Sequence, residues 1–212
     1  MRKTASLAAV AAFMLLIPTS GQSADISAGL SISDGHLKSF HLAISDYFKL
    51  PEREVIAVRE RKIPDEELAV IFYLSQRAGV TPQAVIELRK AGKSYLEITL
   101  LFQLSPAIYY VPIKKDPGPP FGKAYGHFKK RSKSEWKKVE LDDDDIVNLV
   151  NLRFISNHCH ASPDDVISLR AKSKSYVLLH DETIQYVAES KKKSDAPKAR
   201  NFADRNKGPK PK

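Results

Sequence analysis

Cysteine occurs once in the 212 residues, as Cys159. That excludes an intramolecular disulfide and any zinc site made from spaced cysteine pairs. A single thiol in an exported chain is either buried or paired with another chain. No apolar run reaches the about 20 residues of a membrane-spanning helix. A nucleophile elbow, a phosphate-binding glycine loop and an obvious acid/base pair are also missing. Any catalysis would have to assemble residues distant in sequence, so the chain is read as non-enzymatic and without a cofactor.

What apolar length there is lies at the start. Arg2 and Lys3 precede an unbroken apolar stretch at 7–17, Pro18 ends it, and small or polar residues follow. This is the pattern of a bacterial secretory signal. Cleavage is expected after Ser23 or Ala24, which makes 1–24 a leader and predicts a periplasmic or secreted protein. No cysteine follows the run, which argues against a lipid anchor. The remainder is long enough to bury a core without metal or disulfide staples.

The net charge of +9 is unevenly placed. The leader holds two cations. Residues 189–212 hold nine Lys or Arg and three acids, for +6, and 25–188 sum to +1. The folded body thus reads as near neutral. The segment 189–212, basic and nearly without rings, reads as a disordered tail.

One phrase is written twice. TPQAVIELRKAGKSY at 81–95 returns as SPDDVISLRAKSKSY at 162–176, and an ungapped register extends back to Asp65 and Ile146. Leu68, Ser75, Pro82, Val85, Ile86, Leu88, Arg89, Lys93, Ser94 and Tyr95 recur as Leu149, Ser156, Pro163, Val166, Ile167, Leu169, Arg170, Lys174, Ser175 and Tyr176. Such a repeat marks a duplicated supersecondary unit, and two copies are too few for a solenoid. In each copy acids open a first helix, where they meet the positive end of its dipole. A hydroxyl residue and proline then cap a second helix, and Lys-Ser-Tyr begins a third. Ahead of the first copy, Leu37, Phe40, His41, Ile44 and Phe48 recur at helical spacing, and Pro51 opens a short amphipathic helix. The expected fold is all-α. Two related three-helix units, at 65–104 and 142–188, are bridged at 105–141, and 25–104 forms the N-terminal helical region.

The bridge differs in texture. Five prolines and three glycines between Ser105 and Gly126 argue against regular helix. Its aromatic content argues against plain disorder, so an ordered loop lying on the helices is expected. Lys114, Lys115, Lys123, Lys129, Lys130 and Arg131 interleave with Phe121, Tyr125, Phe128 and Trp136. Cations among rings can grip phosphates while the rings stack on bases or sugars, or can meet an anionic lipid headgroup. Equally, the rings fill gaps between the units and the lysines face water.

LSQRAGVTPQAVIEL in the first copy resembles the helix-turn-helix of bacterial transcription factors over about 20 residues. In that resemblance Ser75 is the small residue, Gly79 the turn, and Val85 and Leu88 the inward side of the recognition helix. The second copy departs from it, with His160 at the turn. The carboxylates of Glu87, Asp164 and Asp165 among the exposed positions would repel phosphate, so DNA is not the expected partner. The phrase GPPFGKAYG at 118–126, with the flanking helical copies, resembles a group of exported bacterial proteins. The resemblance implies export and paired helices and carries no catalytic role.

Two further sets qualify as candidate sites. Arg89 and Arg170 hold equivalent positions and are either paired anion hooks or partners of the carbonyl end of their helices or of a nearby acid. His158, Cys159 and His160 are of metal-ligand type, but adjacent residues seldom supply three ligands to one tetrahedral ion, and no metal is assigned. The function expected is binding or scaffolding in the cell envelope, through the loop and tail, with an anionic component or another protein as partner. Nucleic-acid binding is the alternative, and a metal-binding protein or an enzyme the third.

Overall fold

A computed structural model describes residues 23–195, with side chains for 34–194. Nearly all of the expected leader and the tail beyond Asp195 lie outside the described residues. The described residues divide into two units at Asp34 and Gly35. Both repeats, the bridge and the core belong to the second. The described residues are helical and contain no strand, which establishes the all-α class. No described helix is long and apolar enough to cross a membrane.

The helices are α1 (Ser23–Phe48), α2 (Glu52–Arg59), α3 (Asp65–Ala78), α4 (Pro82–Lys90), α5 (Tyr95–Leu101), α6 (Gly122–Lys129), α7 (Asp143–His158), α8 (Pro163–Arg170) and α9 (Tyr176–Asp195). Short 3-10 turns lie at Pro106–Tyr109 and Lys133–Lys138. The repeated phrase maps onto α3–α4–α5 and α7–α8–α9. Thr81 and Ser162 cap α4 and α8 through their side-chain oxygens, with proline in the first turn. Asp142 opens α7 in a capping box with Asp145.

The first helix of each copy is closed by the same device. Gly79 and His160 both have left-handed backbone, with φ of 67° and 55°. The next residue donates back five positions, from Val80 to Ser75 at 2.9 Å and from Ala161 to Ser156 at 3.0 Å. Glycine adopts this conformation freely and histidine does so at a cost. His160→Gly is therefore expected to leave the fold intact and raise stability by up to about 1 kcal/mol, measured by urea unfolding.

The two first helices, α3 and α7, pack together at the centre. α3 buries Leu68 through Ser75 without interruption, and α7 buries Ile146, Leu149, Val150, Leu152, Phe154 and Ile155. Each repeat then caps the third helix of the other. Asp143, at the start of α7, accepts the Tyr95 amide of α5 at 2.7 Å. Glu66, at the start of α3, accepts the Tyr176 amide of α9 at 3.0 Å. The tyrosines extend the correspondence: Tyr95 Oη bonds the Glu67 carboxylate, and Tyr176 Oη donates to Asn148 Oδ1 at 2.6 Å, one position on each first helix. The acids that begin the central helices therefore lock the two units to each other as well as meeting the helix dipoles.

Arg89 and Arg170 belong to this lock. Arg89 donates to the Lys93 carbonyl at 2.8 Å and to Asp143 Oδ2 at 2.7 Å, pairs with Glu67 at 3.6 Å, and lies 4.0 Å over the Tyr95 ring. Arg170 donates to the Ser173 carbonyl at 2.8 Å and lies 4.7 Å over the Tyr176 ring. Both guanidinium groups bond within the chain, Arg89 to nearby acids and each to a carbonyl just beyond its helix, although Arg170 Nε is buried without a partner. Arg89→Met leaves two half-buried carboxylates without their cation and is expected to cost about 2–3 kcal/mol. Arg170→Met removes only a carbonyl partner and a ring contact and is expected to cost about 1 kcal/mol. Denaturant midpoints compare the two.

Two boundaries differ from the expectation. The proline- and glycine-rich bridge contains a regular helix, α6, because its prolines end at Pro120 and the residues that follow can turn freely. Gly122 is needed there: a Cβ would stand 3.0 Å from the Pro117 carbonyl oxygen. The last helix runs past 188 to Asp195, so Lys191, Lys192 and Lys193 are helical. Positive charge at a helix end is favoured by the dipole.

Candidate functional site

The near-neutral sum for the body hides a segregation of charge. The bridge 105–141 holds nine Lys or Arg and three acids, for +6, so the helical remainder is acidic. The bridge lies on the acidic helix starts. Lys123 pairs with Asp142 and stands 4.0 Å from Asp145. The backbone amides of Lys114 and Lys115 donate to Asp164 at the start of α8, at 3.1 and 2.9 Å. Burial works to raise the Asp164 carboxyl, but these amides prevail and hold it below the usual range. The bridge thus covers the start of α8, a position that a recognition helix would need open.

The aromatic residues proposed as stacking surfaces divide sharply. Phe121, Tyr125 and Phe128 are buried core residues and cannot stack on a ligand, which corrects that part of the expectation. The physical reason is that α6 turns these rings inward, toward α7 and Tyr110. Trp136 is half-buried, 4.3 Å from the Tyr110 ring, with Nε1 donating to the Phe128 carbonyl at 3.2 Å. It borders a shallow cleft of about 180 Å³ whose rim carries Lys114, Lys115 and Lys129. Lys129 is paired with Asp116. Lys130, Arg131, Lys133, Lys137 and Lys138 are exposed and form no salt bridge among the described residues.

The second candidate region joins α1, the end of α7 and the start of α9. His158 and His180 face each other, Nδ1 to Nε2, at 3.2 Å, and Cys159 lies beside them. The three ligand-type atoms fall within 4.8 Å of one another. His180 is 1 % exposed, edge-on to Phe40 and stacked on Phe154. Its Nδ1 meets Asp181 Oδ1 at 3.1 Å. Asp181 also accepts from Ser39 at 2.8 Å and bonds His36, both on α1. His158 Nε2 lies 3.6 Å from Asp46.

Burial pushes both imidazoles below the ordinary histidine range, against the pull of Asp46 on His158 and of Asp181 on His180. Burial works to raise Asp181, but its bonds from His36, Ser39 and His180 hold it low. Burial drives the Cys159 thiol up to about 12. The cluster is thus two neutral imidazoles and a protonated thiol beside an ionised carboxylate.

Sequence reasoning grouped His158 and Cys159 with His160. His160 is instead exposed on the left-handed turn, and the third member is His180 on α9. The packing of α9 on α7, not adjacency in the chain, supplies the missing ligand type. The available signal was the register of the repeat: His158, Cys159 and His180 stand where the first copy has Arg77, Ala78 and Thr99. No known protein family, characterised protein or solved structure matches this chain.

Proposed function

We propose that this chain is an exported, non-enzymatic binding or scaffolding protein of the cell envelope, and that it meets an anionic surface through the outer edge of the bridge. The leader-like pattern at 1–24 supports export. The observation that carries the binding reading is the contrast among the cations of the bridge. Lys123 and Lys129 are consumed by internal acids, whereas Lys130, Arg131, Lys133, Lys137 and Lys138 stand exposed and unpaired among the described residues. Lys133 also lies 6.0 Å over the Trp136 ring, but none of these charges is neutralised in an ion pair, which leaves them available to a partner. Lys191, Lys192 and Lys193 add to the positive supply from the end of α9.

The test is binding to vesicles that contain an anionic lipid. Each cation close to such a surface contributes about 1 kcal/mol. Neutralising Lys130, Arg131 and Lys133 together with glutamine is expected to weaken binding by roughly two orders of magnitude, and added salt is expected to weaken the wild type in parallel. Equal binding by the wild type and the triple variant would refute the bridge as the contact. A wild type that ignores anionic vesicles but retains a protein partner would move the reading to a protein interface.

A further inference from the structure

The bridge does not use the histidine cluster, whose residue types exceed what packing at this corner demands. The first repeat is an internal comparison. At the matching positions it packs with Arg77, Ala78 and Thr99, and Thr99 Oγ1 is satisfied by the Tyr95 carbonyl and Tyr109 Oη. The second repeat keeps the same corner and changes all three positions to metal-ligand types.

The proton positions follow from the partners. An ionised carboxylate offers only acceptors, so the bond between His180 and Asp181 requires the proton on His180 Nδ1. That leaves His180 Nε2 as a bare lone pair. The Asp46 carboxylate stands 3.6 Å from His158 Nε2, beyond hydrogen-bond reach, so in the metal-free chain His158 Nδ1–H donates to His180 Nε2. The two nitrogens face each other at 3.2 Å, and a bound cation would take the place of the proton between them. Two imidazole nitrogens bound tetrahedrally to one zinc-sized ion, at about 2.05 Å each, lie about 3.3 Å apart. The pair is already spaced for that ion.

The outer shell fits as well. Metal-bound histidines characteristically donate the remaining ring N–H to a carboxylate, which fixes the tautomer and the ring. His180 does this to Asp181, which Ser39 and His36 hold in turn. Cys159 Sγ is the third ligand. It contacts the His180 carbonyl at 3.9 Å and has to close in on the ion and release its proton, as thiolate ligands do. His158 and His180 border a cleft of about 530 Å³ with Lys38, Leu42, Asp46 and Ile184, which offers a fourth ligand a route to the ion. Three protein ligands and one open position distinguish a reactive or ligand-exchanging zinc site from a closed structural one.

We infer that His158, His180 and Cys159 form a binding site for a borderline-soft divalent transition-metal ion of the zinc class, with a fourth coordination position open to solvent. The site is independent of the anionic surface proposed for the bridge.

The test uses the full chain without a histidine tag, stripped by chelator and titrated with Zn²⁺ and then Co²⁺. Zn²⁺ is expected to bind one to one and, at about a hundredfold excess over Kd, to raise Tm by roughly 5–10 °C. Co²⁺ is expected to show a near-ultraviolet thiolate charge-transfer band. His158→Gln removes a ligand from the more exposed side and is expected to weaken binding by at least about tenfold. Cys159→Ala is expected to abolish the band while weaker binding persists. Asp181→Asn touches no ion and is expected to weaken binding by about 10–100-fold through His180. His160→Gly is expected to leave the metal affinity and the cobalt band unchanged. If His158→Gln fails to fold, the loss of the cobalt band in Cys159→Ala carries the same decision. A folded wild type that shows no one-to-one binding overturns the inference and leaves a structural His–His hydrogen bond. Affinity unchanged in both His158→Gln and Cys159→Ala also overturns it, because the ion then sits elsewhere.

Discussion

Phe154→Ala is expected to lower the unfolding free energy by about 3–5 kcal/mol. The ring is fully buried. It meets Phe40 edge-on at 5.7 Å, Tyr47 at 5.3 Å, Phe48 at 6.3 Å and the His180 imidazole in parallel at 6.1 Å. These neighbours come from α1 and α9, so the walls of the resulting cavity belong to separate helices and cannot collapse together. A domain of this size has a total stability of about 5–15 kcal/mol, so the variant is expected to show a much lower denaturant midpoint at an unchanged slope. Phe154→Leu keeps most of the volume and is expected to lose less than about 1.5 kcal/mol. Equal losses for the two variants, or a loss below about 1 kcal/mol for alanine, would show that the ring cluster does not hold the three helices together. The equivalent position in the first repeat is Tyr73, whose Oη donates to the Ile108 carbonyl at 2.6 Å. One slot in the duplicated corner thus anchors the bridge in one copy and floors the histidine pair in the other.

Much of this architecture was legible because its determinants are local. Hydroxyl-proline caps, acidic helix starts and the turn at Gly79 act within a few residues, so the repeat could be aligned and its three helices drawn from the sequence. Phe40, His41, Ile44 and Phe48 kept their apolar period and are buried. The reciprocal caps were not legible. Tyr95 and Asp143 are 48 residues apart, and nothing in either segment specifies the other as its partner. The bridge misled for a related reason. Residue type showed rings and lysines, but the turn of α6 decides which of them face the core. The metal-type cluster was half visible. His158 and Cys159 were adjacent and drew attention, whereas His180 stands 21 residues beyond Cys159 with no local signal joining them. Comparing the copies position by position, for what each changed as well as what it kept, would have joined them.

Above about pH 10 the chain is expected to unfold in one cooperative step. Tyr95, Tyr109, Tyr125 and Tyr176 are buried, and burial is the main cause that pushes each phenol well above its usual range. Glu67 adds to the effect at Tyr95, while Thr99 opposes it at Tyr109 and Arg170 at Tyr176. The folded state therefore holds these protons more tightly than the unfolded state, whose tyrosines ionise near about pH 10. Groups raised in this way contribute fully below the unfolded value and lose their contribution progressively as pH rises from it through the raised folded value. Each tyrosine is worth up to about 1.4 kcal/mol per pH unit once its unfolded form is ionised, so the four together remove roughly 4 kcal/mol between about pH 10 and 11. Cys159, pushed up by burial to about 12, begins the same loss earlier, near the ordinary thiol value of about 8.5. The check is an alkaline titration that follows tyrosinate absorbance and helix circular dichroism together. Ionisation of the four buried phenols is expected to coincide with loss of helix. A smooth titration centred near about pH 10, with the helix signal intact, would show that the phenols reach water without unfolding. Tyr95→Phe separates the two contributions: it removes the Glu67 bond at a cost of about 1 kcal/mol at neutral pH, yet it makes the alkaline loss shallower, because the folded state then holds one such proton fewer.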